Sequence, residues 1–389
     1  MNLLRKLNAK RGRSILIFLM TAVIVFNIGS VLLGQKEKYL TPNYWERYAK
    51  LKHTYENSQY ATKNFKGFEP DEIVYAYAGG AFLLGVSPVL IVPDAPPLGK
   101  YLISLSVLFF RNEHVIILIS GFVAFLFLFL VGRQVLSSTI LALIPPIILS
   151  SEPLFKNMFV YTPLFDIMQL VMALMIFYFF NKGFMQKKNY LSFFIAVNFL
   201  LGCFIATKFF VSGITFFGAW FLLFLLRREK TKFLTMLLLS PIPIIVLLAS
   251  YARVFAFGYT LREIVGIQKW VFIYHQGQLM KPFSIWPLLF LNQWHVWWGD
   301  KPILSDSQWI ILWPVMTTIA FLTIIFYVIK KLRVKKEIEI LMVWIVLYLG
   351  MFSIGQITVR YFIILLPIIY IVALYGVQQF SINQISKKK

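Results

Sequence analysis

Cysteine, histidine and charge are all scarce in this sequence, and each scarcity excludes a class of protein. The 389 residues include one cysteine, Cys203, so no disulfide can form within the chain. Four scattered histidines and that cysteine do not make the ligand spacing of a zinc site. Charged residues make up only 14% of the chain and hydrophobic residues 59%, which excludes a soluble globular protein. Lipid is therefore the solvent for most of this chain.

Long apolar runs recur along the sequence, with clusters of basic residues between them. Because a bilayer core takes roughly 20 apolar residues per helical span, the runs predict an all-α polytopic membrane protein of about ten transmembrane helices. No internal repeat is visible, so we expect a single membrane domain over residues 1–389. The first run has no small-residue cleavage site and is expected to remain as an anchor. The predicted spans lie near 15–33, 114–132, 134–150, 162–181, 190–207, 209–226, 232–250, 308–329, 338–356 and 361–379.

The net charge of +22 is concentrated at the ends of these spans, which favours membrane topology over nucleic-acid binding as its cause. A cytoplasmic N-terminus makes every short inside turn basic and places two long loops, 35–113 and 251–307, outside. We therefore expect a multi-pass protein of the plasma membrane with both termini in the cytoplasm and no nucleic-acid partner. The inside turns contain Arg133; Lys182, Lys187 and Lys188; Arg227, Arg228, Lys230 and Lys232; Lys330, Lys331, Arg333, Lys335 and Lys336; and Lys387 to Lys389.

Several ionisable and aromatic residues gather on the predicted outer side. A helix is predicted from Ile73 to Leu84, and the short apolar segment Leu98 to Phe110 is predicted to be interfacial or re-entrant. Ionisable groups at membrane depth are costly, so their convergence on one leaflet predicts a functional site. The candidates are Asp71, Glu72, Asp94, Lys100, Asp166, Lys208, His275, Trp286 and Arg360.

Carboxylates beside cations suit the transfer of a sugar from a polyprenyl phosphate. The phosphate leaving group needs lysine or arginine, and an acceptor hydroxyl needs a carboxylate that takes its proton. Such a transfer depends on position and electrostatics, so no cofactor is predicted. Acidic oxygens could hold a divalent ion, but no metal site is predicted.

The order of these residues resembles the C-type membrane glycosyltransferases, which have the GT-C fold, and in particular their protein O-mannosyltransferase branch in its bacterial form. The Asp71-Glu72 pair is similar to the acidic pair in that family's first outer loop, and Pro96 to Lys100 gives its Pro-Pro-Leu-Gly-Lys segment. Asp166 and Lys208 follow in the family's order. The segments Tyr274-His275 and Ser284-Ile285-Trp286-Pro287 resemble its histidine and serine-tryptophan segments.

Three positions depart from the family pattern. Pro70 replaces the usual aromatic residue before Asp-Glu, and Ala95 replaces the histidine before Pro-Pro. The arginine that precedes the later aspartate, Asp166 here, is missing. The soluble sugar-binding module of the eukaryotic enzymes has no counterpart in the sequence, which favours a bacterial type.

The resemblance implies a transfer of mannose, or of another hexose or pentose, from a polyprenyl-phosphate donor. The acceptor would be a hydroxyl of a protein, lipid or glycan on the extracytoplasmic face, and membrane lipids would surround the enzyme. The catalytic aspartate of the family falls on Asp71, with Glu72 and Asp94 as reserves. Substrate binding is expected from Lys100, Asp166, Lys208, His275, Trp286 and Arg360.

Simpler interpretations of the same residues remain open. Asp71, Glu72 and Asp166 could cap helices, and Asp94 with Lys100 could form a surface ion pair. Lys208 and Arg360 could anchor span ends at lipid headgroups, and the tryptophans from Trp294 to Trp298 suit an interfacial belt better than a sugar platform. A flippase or secondary transporter for lipid-linked saccharides is the alternative function. It would be expected to carry charges near the bilayer midplane in pseudo-repeated halves, whereas the acids here lie in long loops.

The topology can be tested with single introduced cysteines. Phe68→Cys and Gln278→Cys should react with an impermeant thiol reagent in intact cells, whereas Thr231→Cys, in a basic turn, should not. Labelling at Thr231 together with protection at Phe68 would invert the predicted orientation.

Overall fold

A computed structural model describes residues 2–65, 68–208, 211–276, 281–296, 303–330, 335–355 and 357–387, with side chains for these except 2–11, 274–276 and 382–387. Over these ranges the chain is almost entirely helical. Its helices are α1 (Asn2–Gly34), α2 (Lys36–Leu40), α3 (Tyr44–Glu56), α4 (Asp71–Leu83), α5 (Pro97–Phe110), α6 (Val115–Val135), α7 (Thr139–Ser151), α8 (Pro153–Val160), α9 (Asp166–Met185), α10 (Leu191–Thr207), α11 (Val211–Arg227), α12 (Lys230–Leu239), α13 (Pro241–Ser250), α14 (Ala252–Ala256), α15 (Leu261–Gln276), α16 (Ile285–Leu291), α17 (Leu312–Ile329), α18 (Lys336–Phe352) and α19 (Phe362–Lys387).

Short elements complete the secondary structure. Turns of 3-10 helix cover Pro88–Leu90 and Val359–Tyr361, the second leading directly into α19. Strands β1 (Trp294–His295) and β2 (Ile303–Leu304) pair antiparallel, with Trp294 opposite Leu304 and His295 opposite Ile303.

Six helical segments in the described part of the chain are long and apolar enough to cross a membrane. A seventh span is possible if α7 and α8, which are bent by 57° at Glu152, act as one. The predicted count of about ten spans is not confirmed, because α10, α11 and α18 have only 17 residues each. That length falls short of the roughly 20 residues of a typical span. The six segments are Gly12–Gly34, Val115–Val135, Asp166–Met185, Lys230–Ser250, Leu312–Ile329 and Val359–Ser381.

Two of these segments form the centre of the bundle. In Val359–Ser381, 78% of the most apolar window is buried inside the protein, and in Asp166–Met185 the share is 67%, against 6% for Gly12–Gly34. A span that is buried against protein on all sides is held in one orientation by its neighbours, whereas a span facing lipid is not. Of the described spans, the two central segments are therefore the ones most enclosed by neighbouring helices, and each begins at a candidate site residue or next to one.

The basic turns meet at one end of the bundle, which we call the basic end and define by Arg227, Lys232, Lys335 and Lys336. Arg227 forms an ion pair with Glu339, and Lys336 Nζ lies 3.2 Å from Glu229 Oε1. Lys232 Nζ donates to the Phe184 carbonyl at 2.7 Å, and Lys335 Nζ donates to the Val135 carbonyl at 3.4 Å. These contacts connect turns that lie far apart in the sequence.

The first long loop folds into a compact helical unit of α2 to α5. The predicted helix from Ile73 to Leu84 is confirmed, with its start two residues earlier, at Asp71. The Tyr44 hydroxyl accepts a hydrogen bond from the Gly80 N–H at 2.8 Å and donates to the Ala76 carbonyl at 2.6 Å. A Cβ at Gly80 would come within 2.4 Å of that hydroxyl oxygen, so glycine is what allows α3 and α4 to approach so closely. This packing fixes the position of Asp71 at the start of α4.

A buried carboxyl group ties the bend between α7 and α8 to two other helices. Glu152 is 1% exposed and accepts hydrogen bonds from Trp313 Nε1 at 2.9 Å and from the Tyr370 hydroxyl. Burying a polar group costs free energy unless the group is hydrogen-bonded. Glu152 therefore links α17 and α19 to the bend.

The contact between α17 and α19 gives a stability prediction. A Cβ at Gly376 would lie 1.8 Å from Thr323 Oγ1, whereas a Cβ at Gly350 meets nothing within 4 Å. Gly376→Ala is expected to destabilise the protein by about 1–3 kcal/mol through overpacking. Thermal denaturation in detergent measures this, with Gly350→Ala as the matched control that causes no loss. Adding Thr323→Ala to Gly376→Ala should restore part of the stability, and an unchanged Gly376→Ala protein would contradict the close contact.

Candidate active site

The first pair of candidate residues joins the start of α4 to the start of α19. Arg360 Nη2 lies 2.7 Å from Asp71 Oδ2, although 289 residues separate the two in the sequence. The other oxygen, Asp71 Oδ1, accepts a hydrogen bond from the Tyr60 hydroxyl at 3.2 Å. Both oxygens of the Asp71 carboxylate thus have a partner.

The second pair joins the start of α9 to the end of α10. Lys208 Nζ lies 2.5 Å from Asp166 Oδ1, and Asp166 is only 2% exposed. The same ammonium group lies 4.8 Å from the centre of the Tyr361 ring, where a cation is attracted to the aromatic face. Because Tyr361 follows Arg360 directly, the two ion pairs are neighbours.

The two pairs form one electrostatic cluster, which we call the site end and define by Asp71, Asp166, Lys208 and Arg360. Each cation interacts with the acid of the other pair, Lys208 with Asp71 and Arg360 with Asp166. Two carboxylates and two cations cancel, so the cluster has no net charge. Burial alone would raise the pKa of Asp71, but Arg360 and Lys208 more than offset this and hold that pKa below its ordinary value.

Asp94 adds a third carboxylate, which is in a different environment. Its Oδ1 atom is buried and accepts no hydrogen bond in the described part of the chain, although the backbone N–H groups of Asp94 and Ala95 favour its charged form. Burial raises the pKa of Asp94 to about 6, with Lys100 opposing the rise and Asp71 adding to it. Of Asp71 and Asp94, Asp94 is therefore the one whose charge changes closer to neutral pH.

Lys100 holds the loop that carries Asp94. The lysine is completely buried, and its Nζ donates to the carbonyls of Ile91 at 3.2 Å, Val92 at 2.7 Å and Ala95 at 2.8 Å. An ammonium group has three donors, and each has a carbonyl here. The simpler interpretation of Asp94 and Lys100 as a surface ion pair is wrong, because Lys100 is inside the protein.

The remaining predicted residues lie apart from this cluster or outside the described side chains. Glu72 is half-buried and interacts with Lys38, on a different side of α4 from Asp71. Trp286 donates from Nε1 to Ser353 Oγ at 3.0 Å and packs against Phe290. The side chain of His275 is not among those described. In the described ranges, no three histidine, cysteine, aspartate or glutamate side chains group as metal ligands would.

Sequence reasoning missed three tyrosines of the site. Tyr60 binds Asp71, Tyr361 lies under Lys208, and Tyr75 interacts with both Asp71 and Asp94 while its ring stacks on Phe165 at 3.9 Å. The position of Tyr361 next to Arg360 was the only local signal. Nothing in the sequence distinguishes Tyr60 or Tyr75 from the other tyrosines of the first loop.

Comparisons with known proteins identify the fold. No protein-family model and no curated protein sequence matches this chain. The crystal structure of ArnT from Cupriavidus metallidurans bound to undecaprenyl phosphate matches with a TM-score of 0.57 and 16% identity, over 80% of this chain and 56% of ArnT. The apo structure of the same protein matches with a TM-score of 0.55 and 16% identity, over 79% and 55%.

The chain has the GT-C fold. It spans little more than half the length of ArnT, and at 16% identity the likeness concerns the fold alone. The archaeal oligosaccharyltransferase AglB from Archaeoglobus fulgidus, in complex with an inhibitory peptide and a dolichol-phosphate, matches with a TM-score of 0.48 and 13% identity, over 95% of this chain and 52% of AglB. That likeness is too weak to support an inference.

The Asp166 and Lys208 pair gives a prediction about stability. Asp166→Asn alone leaves a poorly exposed ammonium without its anion, whereas Asp166→Asn with Lys208→Met removes both charges. We expect a coupling free energy of about 1–3 kcal/mol from the double-mutant cycle, measured by denaturation in detergent. The control cycle uses the exposed pair of Lys52 and Glu56, whose Nζ and Oε1 atoms are 3.7 Å apart, and should give less than about 0.5 kcal/mol. Equal coupling in the two cycles would mean that the Asp166 pair is solvated.

Proposed function

We propose that the protein is a membrane glycosyltransferase that uses a polyprenyl-phosphate sugar as its donor. The acceptor would be a hydroxyl of a protein, lipid or glycan, and the sugar would be mannose, another hexose or a pentose. The observation that carries the proposal is the meeting of two acid and cation pairs at the ends of the two most buried spans, in a chain with the GT-C fold.

The two cations suit the phosphate of the donor. Lys208 and Arg360 are held at adjacent positions by α10 and by the turn before α19, so one phosphate could contact both. Hydrogen bonds between a cation and a phosphate oxygen are among the strongest in proteins. A donor phosphate would compete with Asp71 and Asp166 for these cations.

The transfer requires negative charge to be stabilised and a proton to be removed. As the acceptor oxygen bonds to the anomeric carbon, the bond from that carbon to the phosphate oxygen breaks and the acceptor loses its proton to a carboxylate. The departing polyprenyl phosphate gains negative charge, which Lys208 and Arg360 would stabilise. Asp71 and Asp94 are the carboxylates that could take the proton, and no electron transfer is needed.

The orientation in the membrane is part of the proposal. The site would face the extracytoplasmic side of the plasma membrane, with the basic end in the cytoplasm as the charge rule predicts. Arg13 Nη2 donates to Thr139 Oγ1 at 3.2 Å, and Gln378 contacts Ser137. These contacts support placing the beginning of α1 and the later part of α19 on the same side, which is consistent with cytoplasmic termini.

The donor class can be tested with purified protein in lipid nanodiscs. A panel of radiolabelled polyprenyl-phosphate sugars is supplied, and transfer to protein, lipid and water is scored. Release of the sugar from its lipid supports the glycosyltransferase. A label that stays on its lipid for every donor contradicts it, and movement of the intact lipid-linked sugar across a vesicle membrane would favour the flippase.

The roles of the two cations give a matched set of variants. Lys208→Ala and Arg360→Ala should each weaken undecaprenyl phosphate binding by roughly tenfold to a hundredfold, because each loses a charge-assisted contact of about 1.5–3 kcal/mol. Lys52→Ala, which removes an exposed lysine of α3, should bind undecaprenyl phosphate as the unmodified protein does. Unchanged binding in both site variants would support the simpler interpretation, in which Lys208 and Arg360 only anchor span ends at lipid headgroups.

A further inference from the structure

The carboxylates Asp71 and Asp94 lie in the same site but have different freedom to accept a proton. Asp71 Oδ2 is occupied by Arg360 and Oδ1 by Tyr60. Asp94 Oδ1 is buried with no hydrogen bond in the described part of the chain. A proton acceptor needs an unoccupied lone pair; Asp94 Oδ1 has one, whereas Asp71 would first have to give up a contact with Arg360 or Tyr60.

We propose that Asp94 takes the proton of the acceptor hydroxyl, and that Asp71 is a positioning residue that holds Arg360 for the donor phosphate. This assignment rests on the proposed glycosyltransferase function and reverses the order that the sequence resemblance implies.

The electrostatic surroundings support this division. General bases work best when their pKa lies near the operating pH, and burial raises the pKa of Asp94 to about 6. Arg360 and Lys208 hold the pKa of Asp71 below its ordinary value, so Asp71 keeps its charge and remains paired. Two carboxylates whose environments separate their pKa values are the usual sign that they have different roles.

The backbone just before Asp94 adopts a conformation that costs free energy. Val92, two residues before it, has a φ of 51°, in the left-handed region that β-branched residues rarely adopt. Such a conformation costs on the order of 1–3 kcal/mol and persists only where the surroundings impose it. Here the Val92 carbonyl accepts from Lys100 Nζ at 2.7 Å, as do its neighbours in the loop. Lys100 is therefore a second positioning residue, which fixes the loop that presents Asp94.

The proton balance of the step is complete. The acceptor oxygen forms its bond to the anomeric carbon, its proton passes to Asp94, and the electron pair of the broken bond leaves with the polyprenyl phosphate. Asp94 returns the proton to water after the product departs.

The titratable and charged groups that act on Asp94 come from four elements and are Tyr55, Asp71, Tyr75, Lys100 and Tyr361.

The first test is the pH profile of the transfer rate for the donor that is active in the panel. The rate of the unmodified protein should rise through an inflection near pH 6, because only the ionised Asp94 accepts a proton. Asp94→Asn should lose about a hundredfold or more in kcat and lose the inflection. Its binding of undecaprenyl phosphate should stay within about twofold of the unmodified value, since a base acts in the transition state and not in donor binding. That binding also shows that the variant is folded.

Asp71→Asn separates the proposal from a purely structural role for Asp94. The negative charge of Asp71 adds to the pKa of Asp94, so removing it should move the inflection to lower pH while the inflection itself remains. The Kd of this variant for undecaprenyl phosphate should also change, because Arg360 loses its ion-pair partner. Glu56→Gln, an exposed carboxylate of α3, is the control and should change neither quantity.

The outcomes distinguish the two proposals. Transfer by Asp94→Asn at the unmodified rate, or loss of the inflection in Asp71→Asn instead, overturns the assignment of the base and leaves the glycosyltransferase intact. An unmodified protein that consumes no donor of the panel overturns both.

Discussion

Charge in the low-dielectric part of this protein is tolerated because almost every ion at the site end has an opposite ion in contact with it. Asp71 and Arg360 are 2.7 Å apart, and Asp166 and Lys208 are 2.5 Å apart. Removing Lys208 would leave the buried Asp166 carboxylate without its opposite ion, which is costly in a low-dielectric environment. The pairing therefore constrains how α4, α9, α10 and α19 are arranged, since each helix contributes one of the four ions at or next to one of its ends.

The central helices and the first loop have complementary roles in this arrangement. The spans that begin near Asp166 and Arg360 are the most buried of those described. Specific contacts within the loop position its carboxylates. The Tyr44 hydroxyl accepts a hydrogen bond from α4, and Lys100 donates to carbonyls of the loop that carries Asp94. The ends of the buried spans and the first loop form the candidate site together.

The sequence was most informative about features that depend on residues close together in the chain. The helix after Pro70 was predicted within two residues at its start, because Asp71 and Glu72 favour a helix N-terminus and an apolar run follows. The fold was predicted from hydropathy and the ordered motifs. The number of spans was not, because α10, α11 and α18 are shorter than the apolar runs around them suggested.

Contacts between distant residues could not be predicted in the same way. The candidates of the site end were found as separate ionisable groups near span ends, but nothing local indicates that Arg360 would meet Asp71 across 289 residues. Burial excludes the simpler interpretation of Lys100 as part of a surface ion pair, because its three donors bind carbonyls of its own loop inside the protein. Tyr60 and Tyr75 were missed because tyrosine is common in the loop and only tertiary packing selects these two.

The internal neutrality of the site end affects how a charged ligand would find it. Two adjacent ion pairs with no net charge have a field that decays much faster with distance than the field of a lone cation, so long-range attraction of an anion is weak. A phosphate on a membrane lipid would arrive by lateral diffusion in the bilayer and exchange with the carboxylates only on contact. Its rate of association would then depend little on ionic strength, in contrast to enzymes that draw soluble anions into a positively charged funnel.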